Sequence, residues 1–179
     1  MATIVPLSAI EPAFVEELLD AAFGDGRHAR TAYRIRTGMD WLPALSFAAL
    51  DDEEYLVASI QLWPVALTDK EGRPHPLLMV GPVAVAPGRQ GEGFGKALMA
   101  TSLGAISGEA PLPQVLIGDL DYYGRWGFSA EHTGGWRCPG PWDQERLLVR
   151  CENPTVLPRE GMLGPWSEAP ILAPQTRAL

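Results

Sequence analysis

Hydrophobic and polar positions in the middle of the chain predict a buried strand, a turn and a helix in direct succession. Residues 77–86 are almost entirely apolar, which is typical of a strand covered on both faces. Pro87 lacks the N–H group that would continue a ladder, so we expect the strand to end there. From Phe94 onward, apolar residues such as Leu98 recur at helical spacing, and Lys96 lies on the opposite side.

The segments before this unit have the periodicity of a helix and of paired strands. Residues 12–22 predict an amphipathic helix that Gly24 stops, and residues 2–6 a short strand. Residues 44–50 and 54–67, separated by an acidic turn, predict a hairpin that leads towards the central strand.

The segments after the helix predict three more strands. Residues 114–118 are a short apolar run, and a right-handed crossover through the helix would make this strand parallel to the central one. Residues 129–138 and 145–151 predict a final hairpin around a turn rich in proline, glycine and tryptophan. We therefore expect a mixed α/β fold.

The length of 179 residues suits one domain with a single large core. We assign that domain to residues 1–151. Residues 152–179 contain five prolines and predict an extended tail, which Leu163 and Trp166 would pack against the domain.

The net charge of −8 argues against a nucleic-acid partner and favours a cationic or neutral acceptor. The chain shows neither an apolar run of membrane-spanning length nor the layout of a signal peptide, so we expect a cytoplasmic protein. Cys138 and Cys151 fit no metal-ligand spacing, and we expect no metal site. Across the predicted hairpin Cys138 would pair near Glu145 and Cys151 near His132, so both cysteines should remain free thiols.

The turn between the central strand and the helix is built for an anion. Gly91, Gly93 and Gly95 allow tight turning, so that several N–H groups can face one concavity at the positive end of the helix dipole. A pyrophosphate is such an anion. A Walker A loop is excluded because Gln90 stands where its first glycine belongs, and the Rossmann fingerprint fails because Lys96 occupies the third glycine position.

The pattern Gln90-x-x-Gly93-x-Gly95 after Val-x-Val-x-Pro resembles the acyl-CoA-binding motif of the GNAT superfamily of N-acyltransferases. Tyr123-Gly-Arg-Trp-Gly-Phe128 resembles the second motif of that superfamily, in a form similar to a bacterial subgroup of small GNAT enzymes. The resemblance covers residues 44–151. It implies a curved, mostly antiparallel sheet with a splayed central parallel strand pair, helices on both faces, and acetyl-CoA as co-substrate. The cofactor-binding residues that it implies are Val83, Val85, Arg89, Gln90, Gly91, Gly93, Phe94, Gly95 and Lys96.

The resemblance also implies roles in catalysis. The amide of Val85 would bind the thioester carbonyl and that of Val83 the pantetheine arm, and Pro82 predicts a bulge nearby. Tyr123, a phenol that is protonated at neutral pH, would protonate the departing thiolate, with Tyr122 as the alternative.

The group that removes a proton from the amine stays open, because residues 77–86 contain no Asp, Glu or His. Asp119 at the end of its strand is one candidate base, water from bulk solvent is another, and Asp119 as a cap is the structural alternative. The basic cluster at 27–36 is either a solvated helix face or, by the resemblance, a wall of the acceptor site.

These expectations lead to an acetyl-CoA-dependent N-acetyltransferase that acts on a primary amine of a small molecule or a protein. Two alternatives stay open: a non-catalytic acyl-CoA-binding or sensing module, and a generic α/β binding domain without coenzyme A. Whether the protein is a monomer or a homodimer is not determined by the sequence.

Overall fold

The computed structural model describes residues 2–106 and 111–166. Residues 107–110 and the part of the predicted tail beyond Trp166 lie outside these ranges. The helices are α1 (Pro12–Phe23), α2 (Thr31–Ile35), α3 (Phe94–Ala105) and α4 (Leu120–Tyr123). The strands are β1 (Thr3–Pro6), β2 (Phe47–Leu50), β3 (Leu56–Thr68), β4 (Pro74–Val85), β5 (Gln114–Ile117), β6 (Gly135–Arg137), β7 (Leu147–Arg150) and β8 (Glu160–Pro165).

The strands form one open, mostly antiparallel sheet in the order β1-β2-β3-β4-β5-β7. β4 and β5 are parallel, as the crossover rule predicted. β8 pairs with β3 beyond the end of β2 and also with β6, in parallel. The predicted mixed α/β fold with a central parallel pair is confirmed.

Helices cover both faces of the sheet because alternate strand residues point to opposite sides. Ala49 belongs to a buried cluster with Leu98 of α3, whereas the adjacent Ala48 belongs to a cluster with Leu19 of α1. The helical periodicity from Phe94 is therefore confirmed as the burial pattern of α3. No helix in the described ranges combines the length and apolar character needed to cross a membrane.

β4 contains the bulge that Pro82 predicted. The register with β3 runs from Ile60 opposite Val83 to Leu62 opposite Val80, so two residues of β4 oppose one of β3. The extra residue bends the strand at Gly81, whose φ of 125° disfavours any side chain. The bulge lies immediately before the segment of β4 that the motifs assign to the cofactor.

The predicted hairpin of residues 129–138 with 145–151 is wrong. β6 pairs with β8, and β7 pairs with β5; one isolated bridge, Ser129 with Val149, joins the two segments. β7 is the last strand of the sheet order, and its three apolar residues are buried beside β5, whereas Trp136 of β6 donates from Nε1 to the Pro158 carbonyl oxygen. The expected pairings of Cys138 and Cys151 are therefore also wrong, although both cysteines are free.

The first part of the predicted tail contributes a strand. β8 pairs with β3 from Val65 to Thr68, and Leu163 is buried in the core there. The boundary at residue 151 remains a prediction from the sequence.

Candidate active site

β4 and β5 separate immediately after they meet. They are paired only at Leu78 with Gln114 and at Met79 with Val115. Beyond that point β5 continues against β7 to Ile117, while β4 continues against β3 through its bulge to Val85. The parallel pair thus opens into a gap that leads towards the start of α3.

The backbone amides of Val83 and Val85 face this gap. Across β3 and β4 the Ala86 amide donates to the Val57 carbonyl oxygen over 2.8 Å. Because successive amides of a strand point in opposite directions, those of Val85 and Val83 point away from β3 and towards the open side. In the described ranges no strand pairs with β4 there. The amides of Val83 and Val85 are therefore available as hydrogen-bond donors in the gap.

The glycine loop ends at an uncapped helix start. Gly93 is the N-cap of α3 in the left-handed conformation with φ of 89°, and no side chain caps the helix. The first intrahelical bond runs from the Ala97 amide to the Gly93 carbonyl oxygen over 3.0 Å. The amides of the first turn therefore lack partners within the helix and lie at its positive end.

The side chains around this loop make the site less basic than its sequence suggests. Arg89 donates to Glu92 over 2.7 Å and to Asp51 over 3.0 Å, and these bonds raise the pKa of its guanidinium while balancing its charge. Gln90 accepts a hydrogen bond from the Gly88 amide within the loop. Two other residues predicted to bind the cofactor differ in burial. Lys96 is exposed, whereas the Phe94 side chain is buried in the core.

Tyr123 packs against the end of β5. A β-carbon built on Gly118 would lie 2.4 Å from its Cε2 atom, so the glycine makes room for the ring. Phe128 contacts the ring edge-on at a centroid distance of 6.3 Å. Burial, followed by the neighbouring Tyr122 and Asp119, raises the pKa of Tyr123 to about 12, which keeps the phenol protonated at neutral pH.

Tyr122 approaches the first turn of α3 instead. Its hydroxyl would lie 3.0 Å from a β-carbon on Gly95, and Val83 and Val85 reach the same position within 3.9 Å. Burial also raises the pKa of Tyr122. Its hydroxyl therefore lies beside the two valines whose amides face the gap, and both tyrosines line one cavity.

Asp119 lies at the rim of that cavity in an ion pair. Its Oδ1 is 3.1 Å from Nε of Arg146, and three quarters of its side chain is exposed. Its main-chain carbonyl accepts from the amides of Tyr122 and Tyr123, but its side chain makes no capping bond. Asp119 therefore lies near Tyr123, but it is exposed, whereas a dedicated catalytic base is expected to be buried.

The cavity has a volume of about 400 Å³ and extends from the β4–β5 gap to the segment around α2. The arginines of the basic cluster at 27–36 do not all line this cavity. Arg27 and Arg36 are buried and line the cavity, Arg30 lines it while exposed, and Arg34 donates to the Pro139 carbonyl oxygen elsewhere. The solvated helix face is therefore wrong for the two buried arginines.

Sequence reasoning missed Tyr33, which lines this cavity, and Trp63, which contacts Arg36. Trp63 donates from Nε1 to the Gly81 carbonyl oxygen over 2.8 Å, and Arg36 donates to the same oxygen over 3.0 Å. The guanidinium of Arg36 lies over the rings of both Tyr33 and Trp63. The only signal in the sequence was an aromatic residue among arginines, and that pattern alone does not predict stacking.

A sheet that opens between two parallel strands towards an uncapped helix start is typical of α/β proteins that bind a cofactor in the opening. A family model described as an acetyltransferase (GNAT) domain matches residues 8–130. The chain belongs to the GNAT acetyltransferase family, a family of acyltransferases, as the two motifs predicted. No curated protein sequence matches it.

Solved structures share the fold. A GNAT family acetyltransferase from Brucella melitensis in complex with acetyl-CoA is 26% identical with a TM-score of 0.61, covering 90% of this chain and 93% of that chain. A GNAT family N-acetyltransferase from Escherichia coli in complex with CoA is 22% identical with a TM-score of 0.66, covering 94% of this chain and 89% of that chain. At that identity the second structure bears on the fold alone.

Proposed function

We propose that this protein is an acetyl-CoA-dependent N-acetyltransferase that acts on a primary amine of a small molecule or a protein. The observation that carries the proposal is the pair of amides, Val83 and Val85, that face the gap between β4 and β5. An acyl transfer needs fixed donors at the thioester carbonyl, and backbone amides supply them without reorganisation. Family membership and a relative crystallised with acetyl-CoA support the same chemistry.

The glycine loop suits the pyrophosphate of coenzyme A. Gly91 and Gly93 adopt positive φ, and a β-carbon placed on either would meet no atom within 4 Å, so the concavity before α3 is open. The uncapped amides of the first turn would hold the anion. Arg89, released from Glu92 or Asp51, would add charge to this contact.

The proposed mechanism assigns one task to each group around the gap. The Val85 amide donates to the thioester carbonyl oxygen and stabilises the negative charge that develops there, a contribution on the order of 10² to 10³ in rate. The Val83 amide binds the pantetheine arm. Tyr123 protonates the departing thiolate, with Tyr122 as the alternative that its contact with Gly95 favours. The amine loses its proton to water or to Asp119, which is exposed and paired with Arg146.

The test uses the purified chain with acetyl-CoA and a panel of amines and short peptides, with thiol release and product mass as readouts. We expect acetylated product from at least one amine and binding of CoA by calorimetry. CoA binding without product from any amine would instead support a non-catalytic acyl-CoA-binding module. The exposed, ion-paired position of Asp119 favours that second candidate. Absence of CoA binding would overturn both.

A further inference from the structure

Arg36 is a buried cation beside the bulge of β4. The residue is 4% exposed, and its Cζ atom lies over the Tyr33 ring, 4.1 Å from the centroid, and over the Trp63 ring, 4.2 Å from the centroid. Burial lowers the pKa of Arg36 to about 10, so it remains charged at neutral pH. Its N–H donors are used in part: one donates to the Gly81 carbonyl oxygen, and the Tyr33 side chain also forms a hydrogen bond with the guanidinium.

Arg36 has no carboxylate within 4.0 Å among residues 2–106 and 111–166, although a buried guanidinium normally has one. Arg27 behaves differently, because Glu16 and Asp20 bind it from outside the cavity. Arg146 at the rim is paired with Asp119. The aromatic faces offset part of the cost of burying Arg36. Glu16, which is bound to Arg27, attracts Arg36 only from beyond contact distance, whereas a bound anion would place a negative charge directly against it.

The cavity is therefore locally positive in an acidic protein. Four arginines line it, and two of them, Arg27 and Arg146, are paired with carboxylates. Arg30 and Arg36 have no such partner in the described ranges, whereas the whole chain carries a net charge of −8. The local arrangement, and not the net charge, decides what binds here, since a buried charge is screened far less than a surface charge.

We propose, on the basis of the proposed N-acetyltransferase function, that the acceptor is a small primary amine that also carries a carboxylate, which Arg36 binds. A planar guanidinium matches a carboxylate with two parallel hydrogen bonds. Arg36 is fixed to Gly81, two residues before Val83, so a carboxylate held there lies beside the strand whose amides face the thioester. Arg30, exposed at the same wall and 5.2 Å from the Phe23 ring, adds positive charge at the entrance.

The experiment measures kcat/KM for matched acceptor pairs at saturating acetyl-CoA. The pairs are amino acids and their carboxamides, including ω-amino acids, in which the amide does not perturb the distant amine. Short peptides with free and amidated C-termini and a phosphate-bearing amine complete the panel. We expect the carboxylate to be preferred at least about tenfold over the amide, because a site built for an anion rejects its neutral analogue. Equal rates, or a preference for amides or for the phosphate-bearing amine, would overturn the proposal.

The variant Arg36→Gln should reduce this preference towards one, lowering kcat/KM for the carboxylate about tenfold or more and that for the amide less than about twofold. Trp63 still donates to Gly81 in this variant, so the bulge keeps an anchor. Arg36→Lys should restore part of the preference. Arg34→Gln is the matched control, since Arg34 is exposed on the same segment and lies outside the cavity.

The readouts separate this proposal from the one on which it rests. If no amine is acetylated, the N-acetyltransferase function fails and the acceptor assignment fails with it. If amines are acetylated and Arg36→Gln lowers kcat/KM equally for both acceptors of a pair, with CoA affinity unchanged, only the role of Arg36 fails. If Arg36→Gln does not fold, the acid-to-amide ratio of the unmodified protein decides the question.

Discussion

The ring of Tyr123 occupies the space that a side chain on Gly118 would need. A β-carbon placed on Gly118 would lie 2.4 Å from Cε2 and 2.8 Å from Cδ2 of the ring, and 3.2 Å from Leu116 Cδ1. These distances are shorter than packed carbon atoms allow. Gly118 therefore determines where the ring of Tyr123, the proposed proton donor, lies.

Gly118→Ala should displace the Tyr123 ring and lower kcat. We expect a destabilisation of about 1–3 kcal/mol, as for other overpacked sites, together with a fall in kcat larger than the change in KM for acetyl-CoA. Gly104→Ala is the matched control, because a β-carbon there would meet no atom within 4 Å and alanine stabilises a helix by roughly 0.5–1 kcal/mol. Unchanged melting temperature and kcat in Gly118→Ala would show that the ring is free to move.

The two tyrosines are distinguished by single removal of each hydroxyl. Tyr123→Phe should lower kcat at least about tenfold and leave KM for acetyl-CoA nearly unchanged, since a proton donor acts in the transition state. The partner variant Tyr122→Phe should have the smaller effect. A loss of kcat confined to Tyr122→Phe would transfer the role to the hydroxyl beside Gly95.

Gly93→Asp should abolish CoA binding, measured by calorimetry, in a protein that remains folded by circular dichroism. The carboxylate would meet the pyrophosphate at the start of α3. Gly93→Asn has the same shape and the same backbone strain at φ of 89°, so the difference between the two variants isolates the charge. Wild-type affinity in the folded aspartate variant would remove the cofactor from this loop.

Activity should rise with pH through about 8–9, because the acceptor amine, like lysine, titrates near about 10.4 and reacts only when neutral. The raised pKa of Tyr123, about 12, means that the acid is lost only as pH approaches that value, so the rate should not fall at about pH 9. Asp119→Asn should shift the profile only modestly, since Asp119 is exposed and paired with Arg146. A plateau by about pH 7 that this variant abolishes would identify Asp119 as the base.

The sequence by itself determined the elements that carry local signals. The apolar run before Pro87, the helical spacing from Phe94 and the two motifs depend on residues close together in the chain, so periodicity and backbone preference identify them. The crossover rule added the parallel pair, and Pro82 the bulge, because each follows from backbone geometry alone.

Only the tertiary structure decided which distant segments meet. β6 pairs with β8, with Trp136 opposite Gly161, and no local pattern in the sequence distinguishes that partner from β7. In the same way, Arg36 resembles its exposed neighbour Arg34 in the sequence. It becomes a buried cation in the candidate site because Trp63 and Gly81, far along the chain, enclose it. Charge and period are local properties of the sequence, whereas burial depends on contacts between segments that folding brings together.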